Sequence, residues 1–128
     1  MKSFASDISK AKNLGSAKSG LSHWVWQRMT AIILVPVYVW FVFIMFQFFI
    51  NPEYVTNEIL YSPFSLIALL LMVNVTLLHG VLGLKVVIED YIHSECFKNS
   101  LLFLSYGVTL FTMMLVSLSL ILNFIVNI

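Results

Sequence analysis

One histidine lies inside a long apolar stretch and is the residue with the clearest chemical potential. His79 belongs to the stretch 64–88. Neutral imidazole can bind haem iron, relay protons or contact a quinone. The structural alternative is a histidine that only hydrogen-bonds to a neighbouring helix. Because an ionisable residue within a membrane segment is rare and costly, we favour a functional role for His79.

Small residues surround His79 at helical spacing. Thr76 and Gly83 are three and four residues away and share its helix face, and Gly80 widens the small surface. Such a face leaves room for a flat macrocycle to approach the backbone. The alternative is close packing of a second helix, which small residues also permit.

The other two histidines, His23 and His93, lie outside the apolar stretches. A b-type haem with two histidine ligands needs both at a similar depth in the membrane. If His79 binds such a haem, the second ligand must therefore come from another chain.

Asp90 and Tyr91 come directly after the stretch that contains His79. Asp90 is eleven residues after His79, which corresponds to about 1100° of helical rotation and about 16 Å of rise. If the helix continues that far, Asp90 shares the face of His79 near the membrane surface. A tyrosine hydroxyl beside a carboxylate could donate a hydrogen bond to a quinone carbonyl. On spacing alone, an interfacial tyrosine and a loop aspartate are the better explanation.

Arg28 precedes the first apolar stretch, after a segment that contains His23, Trp24 and Trp26. An arginine that snorkels beside an aromatic belt is the commoner arrangement. The functional alternative is a cation, from Arg28, His23 or both, for a haem propionate.

The composition requires a membrane protein. Apolar residues make up 60% of the 128 residues and charged residues 10%, and the mean hydropathy is +0.96. A soluble domain carries about 25% charged residues. The lone Cys96 excludes a disulfide scaffold, and the net charge of +1 gives no indication of a nucleic-acid partner.

Three uncharged or nearly uncharged stretches predict an all-α integral membrane protein of one domain, 1–128. The predicted transmembrane helices are 29–50, 64–88 and 101–126, since a bilayer core needs about 20 residues. Residues 1–28 form a basic arm, and the connections 51–63 and 89–100 are predicted as loops.

Charge predicts the orientation. Basic residues precede the first span, and loop 51–63 has none. The positive-inside rule therefore predicts a cytoplasmic N-terminus, and three spans then put the C-terminus outside.

Taken together, these residues resemble a known family. Three spans, the arm sequence SHWVWQRMTAI and the second-span sequence HGVLGLKVVIEDY are similar to the smaller haem-anchor subunits of succinate dehydrogenases. The residues of the arm sequence resemble those of the alphaproteobacterial or mitochondrially encoded branch of the family. This resemblance implies a location in a bacterial inner membrane or, alternatively, in the mitochondrial inner membrane.

The resemblance implies roles for individual residues. The residue matching His79 is an axial ligand of haem b, and a larger cytochrome b anchor supplies the other ligand. The residue matching Tyr91 hydrogen-bonds ubiquinone, with Asp90 beside it. Arg28 matches an arginine near the haem propionates, whereas the spacing of His23 fits less well.

The resemblance also implies partners and a pathway. A flavoprotein and an iron–sulfur subunit carry succinate oxidation, so this chain is not itself catalytic for succinate and contributes to quinone reduction in the tricarboxylic acid cycle and respiratory electron transport. Two alternatives remain at this point: the anchor of a fumarate reductase, and a small non-redox membrane protein without a cofactor.

Overall fold

The computed structural model describes residues 17–127, and this range is helical apart from short connections. Three long helices account for most of it: α1 (Ala17–Ile50), α2 (Pro63–Tyr91) and α3 (Glu95–Asn127). Each contains a stretch long and apolar enough to cross a bilayer. The predicted all-α architecture with three spans is confirmed. The beginning of the predicted arm, residues 1–16, lies outside the described residues.

The helices extend beyond the apolar stretches at their polar ends. α1 begins at Ala17, well before the predicted span at 29. The predicted loop 89–100 reduces to residues 92–94, because α2 continues to Tyr91 and α3 begins at Glu95. The length of an apolar stretch matches the thickness of the bilayer core. A helix can continue beyond it into water with its backbone hydrogen bonds intact, so the helices are longer than the apolar stretches.

The predicted loop 51–63 is largely helical as well. Asn51 caps one helical turn, Pro52–Tyr54, by accepting a hydrogen bond from the Tyr54 backbone N–H at 3.2 Å. A π-helical segment, Val55–Leu60, follows. Proline at the first helical position is compatible with a helix start because its missing N–H has no intrahelical partner there. The prolines that indicated a loop therefore begin helices here.

Helix α2 lies between the other two. α1 and α3 both pack against α2, and within the described range they make no close contact with each other. The buried apolar side chains belong to α1, α2 and the connection between them: Leu34, Ile44, Val55, Ala68, Val81 and Ile88. The described side chains of α3 include none that are buried. Such exposure suits lipid, since helices satisfy their own backbone groups.

A polar pair joins α2 to α3 within the apolar region. The Asn74 amide donates to Ser117 Oγ at 2.9 Å, and Ser117 Oγ lies 3.3 Å from Asn74 Oδ1. The same amide also donates to the Leu70 carbonyl. Hydrogen bonds of this kind help hold helices together where the hydrophobic effect does not act between them.

Candidate functional site

His79 projects from α2 towards α1, where both of its ring nitrogens have polar neighbours. Nδ1 lies 2.9 Å from Thr30 Oγ1, and Nε2 lies 3.3 Å from the side-chain nitrogen of Gln27. Thr30 is 3% exposed, and His79 is half-buried. The imidazole is therefore bound between two side chains of one neighbouring helix.

Gln27 is the less well satisfied of these neighbours. Its carboxamide oxygen Oε1 is buried and has no hydrogen-bond partner among the described residues. Its nitrogen is a donor only, so it donates to His79 Nε2, and at 3.3 Å this contact is longer than an ordinary N–H···N or N–H···O bond. The contact with Gln27 is therefore the weaker of the two polar contacts of the His79 ring.

The glycines near His79 differ in their surroundings. A Cβ at Gly83 would lie 3.6 Å from the Gln27 side-chain nitrogen, so the space above Gly83 is occupied by that side chain. A Cβ at Gly80 would meet nothing within 4 Å, and Gly80 is exposed. The open small surface beside His79 is therefore at Gly80, whereas Gly83 serves the packing of α1 on α2.

Two further contacts extend the polar interface of α1 and α2 on either side of His79. His23 Nε2 lies 3.1 Å from the Leu82 carbonyl oxygen, to which it donates. Tyr38 and Thr76 share a hydroxyl hydrogen bond of 2.8 Å. These side chains of α1 thus find partners on α2, as expected for polar groups within a membrane segment.

Arg28 lies on the exposed side of α1. Its guanidinium is 5.6 Å from the centroid of the Trp24 ring, within the range of a cation–π interaction. Among the side chains that the structure describes, no carboxylate forms an ion pair with Arg28. The charge is therefore available to an external anion.

The structure does not bring Tyr91 and Asp90 to His79. Both lie at the end of α2 and are exposed, with Tyr91 at 76%. The helix continues to Tyr91, so the condition for Asp90 sharing the face of His79 is met, at an axial separation of about 16 Å. Lys85 forms an ion pair with Glu89 one turn apart on α2, with Nζ 3.7 Å from Oε1. Neither Asp90 nor Tyr91 takes part in this ion pair.

Sequence reasoning did not identify Gln27 and Thr30. Their positions follow His23 at intervals of four and three residues, and the buried Leu34 continues the same row. Polar residues that occupy the first positions of an otherwise apolar packing face could have indicated that α1 supplies partners to a polar residue of another helix.

The chain matches known proteins over most of its length. It matches the family described as succinate dehydrogenase/fumarate reductase transmembrane subunit over residues 3–124. It is 44% identical over 103 residues to the succinate dehydrogenase hydrophobic membrane anchor subunit of Rickettsia conorii, covering 77% of this chain and 79% of that protein. The subunits of the same name from Rickettsia bellii and Rickettsia prowazekii are 44% and 40% identical over 102 residues, with the same shares covered. No solved structure is significantly similar to the chain.

These matches agree with the architecture. Three apolar helices together with this family make the chain a multi-pass protein of the bacterial inner membrane. Its family membership also implies a complex with other succinate dehydrogenase subunits. The chain belongs to the succinate dehydrogenase/fumarate reductase transmembrane subunit family, and within it to the hydrophobic membrane anchor subunits of succinate dehydrogenase.

Proposed function

We propose that this anchor subunit holds a haem b through His79 and contributes Tyr91 and Asp90 to a ubiquinone site. A larger cytochrome b anchor supplies the second iron ligand, and a flavoprotein and an iron–sulfur subunit oxidise succinate. The chain thereby links the succinate oxidation of the tricarboxylic acid cycle to quinone reduction in respiratory electron transport.

The observation that carries the proposal is the environment of the imidazole. A neutral histidine binds iron through one nitrogen while the other donates a hydrogen bond to a protein acceptor. His79 Nδ1 lies against Thr30 Oγ1 at 2.9 Å, and Nε2 meets only a long contact from Gln27. Nε2 is therefore the nitrogen that iron would take, and iron binding there would displace the Gln27 side chain from its contact with Nε2. A bound b-type haem supplies one-electron redox chemistry.

Arg28 supports a propionate contact. It follows Gln27 in the chain, at the same depth as the partners of His79 but on the exposed side of α1, and its guanidinium forms no ion pair within the described residues. Guanidinium binds carboxylates in a bidentate manner. His23 is the weaker candidate, because its Nε2 already donates to the Leu82 carbonyl.

The exposure of the Tyr91 and Asp90 side chains supports their role in a quinone site. Both are available at the end of α2 to groups from other subunits. The phenol can donate to a quinone carbonyl, and a nearby carboxylate can pass on a proton. We assign this end of α2 to the cytoplasmic side, because basic residues precede α1 and none occur in 51–62.

A fumarate reductase anchor remains the second candidate. The family description covers both enzymes, and a histidine within the membrane suits either direction of electron flow. The names of the Rickettsia relatives favour succinate dehydrogenase.

The test replaces the ligand and a matched histidine. In complexes purified in mild detergent, His79→Ala should abolish the low-spin haem b spectrum or convert it to high-spin, because the iron would lose the ligand that His79 would supply. His93→Ala should leave the spectrum unchanged, since His93 is exposed between α2 and α3. An unchanged low-spin spectrum in His79→Ala would contradict the ligand assignment.

A further inference from the structure

Thr30 is a buried polar residue of α1 whose hydroxyl has three polar neighbours. Its Oγ1 lies 3.0 Å from the Trp26 carbonyl oxygen, 3.0 Å from the Gln27 carbonyl oxygen and 2.9 Å from His79 Nδ1. A threonine within a helix commonly donates to a carbonyl of the preceding turn. The contact with His79 is additional to that ordinary arrangement.

The positions of these atoms determine which one donates. The two carbonyl oxygens only accept, and the hydroxyl has one hydrogen. If that hydrogen pointed at His79, both carbonyl oxygens would lie 3.0 Å from oxygen lone pairs of Thr30. The favourable arrangement directs the hydrogen to the carbonyls and leaves a lone pair for His79. His79 Nδ1 must then carry the proton.

The contact on the other side of the ring agrees with this assignment. The Gln27 amide nitrogen can only donate, so Nε2, which it meets at 3.3 Å, is the accepting nitrogen. The Gln27 amide, as oriented in the structure, is thus compatible with the tautomer that Thr30 favours, with the proton on Nδ1 and the lone pair on Nε2.

We propose that Thr30 is a positioning residue that holds His79 in the Nδ1–H tautomer and so directs the Nε2 lone pair to the haem iron. The part concerning iron rests on the proposed function, whereas the part concerning the tautomer does not. A hydrogen bond from Nδ1–H to Oγ1 makes the imidazole a stronger donor to a metal. A stronger donor stabilises the oxidised iron and lowers its reduction potential.

The first experiment measures the tautomer. The chain 1–128, labelled with ¹⁵N-histidine and reconstituted in lipid vesicles without haem, is compared with Thr30→Val and Thr30→Ser. Nitrogen chemical shifts should show the Nδ1–H tautomer of His79 in the unchanged chain and in Thr30→Ser. Thr30→Val keeps the shape and loses the acceptor, so its ratio of Nδ1–H to Nε2–H should fall about two- to tenfold, the effect of one neutral hydrogen bond.

The second experiment measures the haem in the assembled complex. Thr30→Val should shift the midpoint potential of haem b to a more positive value and lower haem affinity by about 10–100-fold, as loss of the hydrogen-bond partner of a ligand does. Thr30→Ser keeps the hydroxyl, so its midpoint potential and haem affinity should equal those of the unchanged complex. The matched control is Thr112→Val, which removes a hydroxyl that donates to the Val108 carbonyl at 2.8 Å within α3 and contacts no histidine. The control should leave the potential unchanged.

The outcomes separate this inference from the proposed function. An Nε2–H tautomer in the unchanged chain, or the same tautomer ratio in Thr30→Val, would overturn the role of Thr30 whatever the haem content. A complex without haem would overturn the proposed function alone. If Thr30→Val does not assemble, the vesicle measurement still decides the matter, because it needs no partner subunit.

Discussion

At the scale of single residues, an imidazole within the membrane is tolerated because the neighbouring helix satisfies it. Transfer of a polar group into hydrocarbon without a hydrogen bond costs several kcal/mol. His79 avoids this through Thr30 and Gln27, at 2.9 and 3.3 Å. The contact with Gln27 is the weaker of the two, and its Oε1 is left without a partner in the described range. Nε2 of His79 is therefore the ring nitrogen with the weaker hydrogen bond.

Tyr91 permits a separate test at the same scale. Tyr91→Phe keeps the ring and removes only the hydroxyl, so assembly, haem content and succinate oxidation with a soluble acceptor should be unchanged. Ubiquinone reduction should fall severalfold to somewhat over tenfold, because one hydrogen bond is worth about 0.5–1.5 kcal/mol and more at a dry site. Steady-state rates with the two acceptors measure this difference.

The matched control is Tyr61→Phe, since Tyr61 precedes the opposite end of α2 and is also exposed. It should affect neither acceptor. An equal loss with both acceptors in Tyr91→Phe would indicate damaged assembly, and no loss with either would make Tyr91 an interfacial tyrosine only.

At the scale of helices, α2 carries the site and the other two helices depend on it. α1 supplies the polar neighbours of His79, whereas the polar pair of Asn74 and Ser117 joins α3 to α2. Within the described range the backbone of α3 approaches that of α2 closely and that of α1 not at all, so α3 is positioned chiefly by α2.

The pair of Asn74 and Ser117 should therefore contribute measurably to stability. Asn74→Leu should destabilise the assembled complex to heat, since Ser117 loses its partner. A double-mutant cycle with Ser117→Ala should give a coupling energy of about 0.6 kcal/mol, typical of hydrogen bonds between membrane helices. Thermal denaturation in detergent, followed by circular dichroism, provides the measurement.

Ser119→Ala is the control for this cycle. Ser119 is exposed on the same helix and forms no described hydrogen bond, so its replacement should not couple to Asn74→Leu. A coupling energy of zero between Asn74 and Ser117 would mean that apolar packing alone holds α3 on α2.

At the scale of the whole molecule, three spans and a basic N-terminal side predict the orientation. A reporter fused after Ile128 should be active outside the membrane, and one inserted at residues 92–94 should be active in the cytoplasm. Paired reporters with opposite compartment requirements, such as alkaline phosphatase and green fluorescent protein, measure both positions.

A third insertion at residues 61–62, between the π-helical segment and α2, serves as the internal control and should be active outside. A cytoplasmic C-terminus would contradict the orientation, and with three spans it would put Tyr91 on the outer side of the membrane.

The amino-acid sequence alone determined the class of the protein and the residue of greatest chemical interest. Hydropathy is a sum over neighbouring residues, so the apolar stretches predicted three spans without any knowledge of packing. A histidine within such a stretch is conspicuous, because the free-energy cost of placing an ionisable residue in the membrane makes such residues rare. The same local reasoning missed the helix ends, because Pro52 and Pro63 begin helices and a helix needs no apolar residues where it meets water.

Only the tertiary structure decided what surrounds the imidazole. Gln27 and Thr30 are separated from His79 by about fifty residues of sequence, and their meeting depends on the rotation and offset of α1 against α2. Those quantities arise from side chains fitting between two helices, which no local pattern encodes. For the same reason, the sequence did not reveal that the space above Gly83, on the face of His79, is filled by Gln27, whereas Gly80 is open.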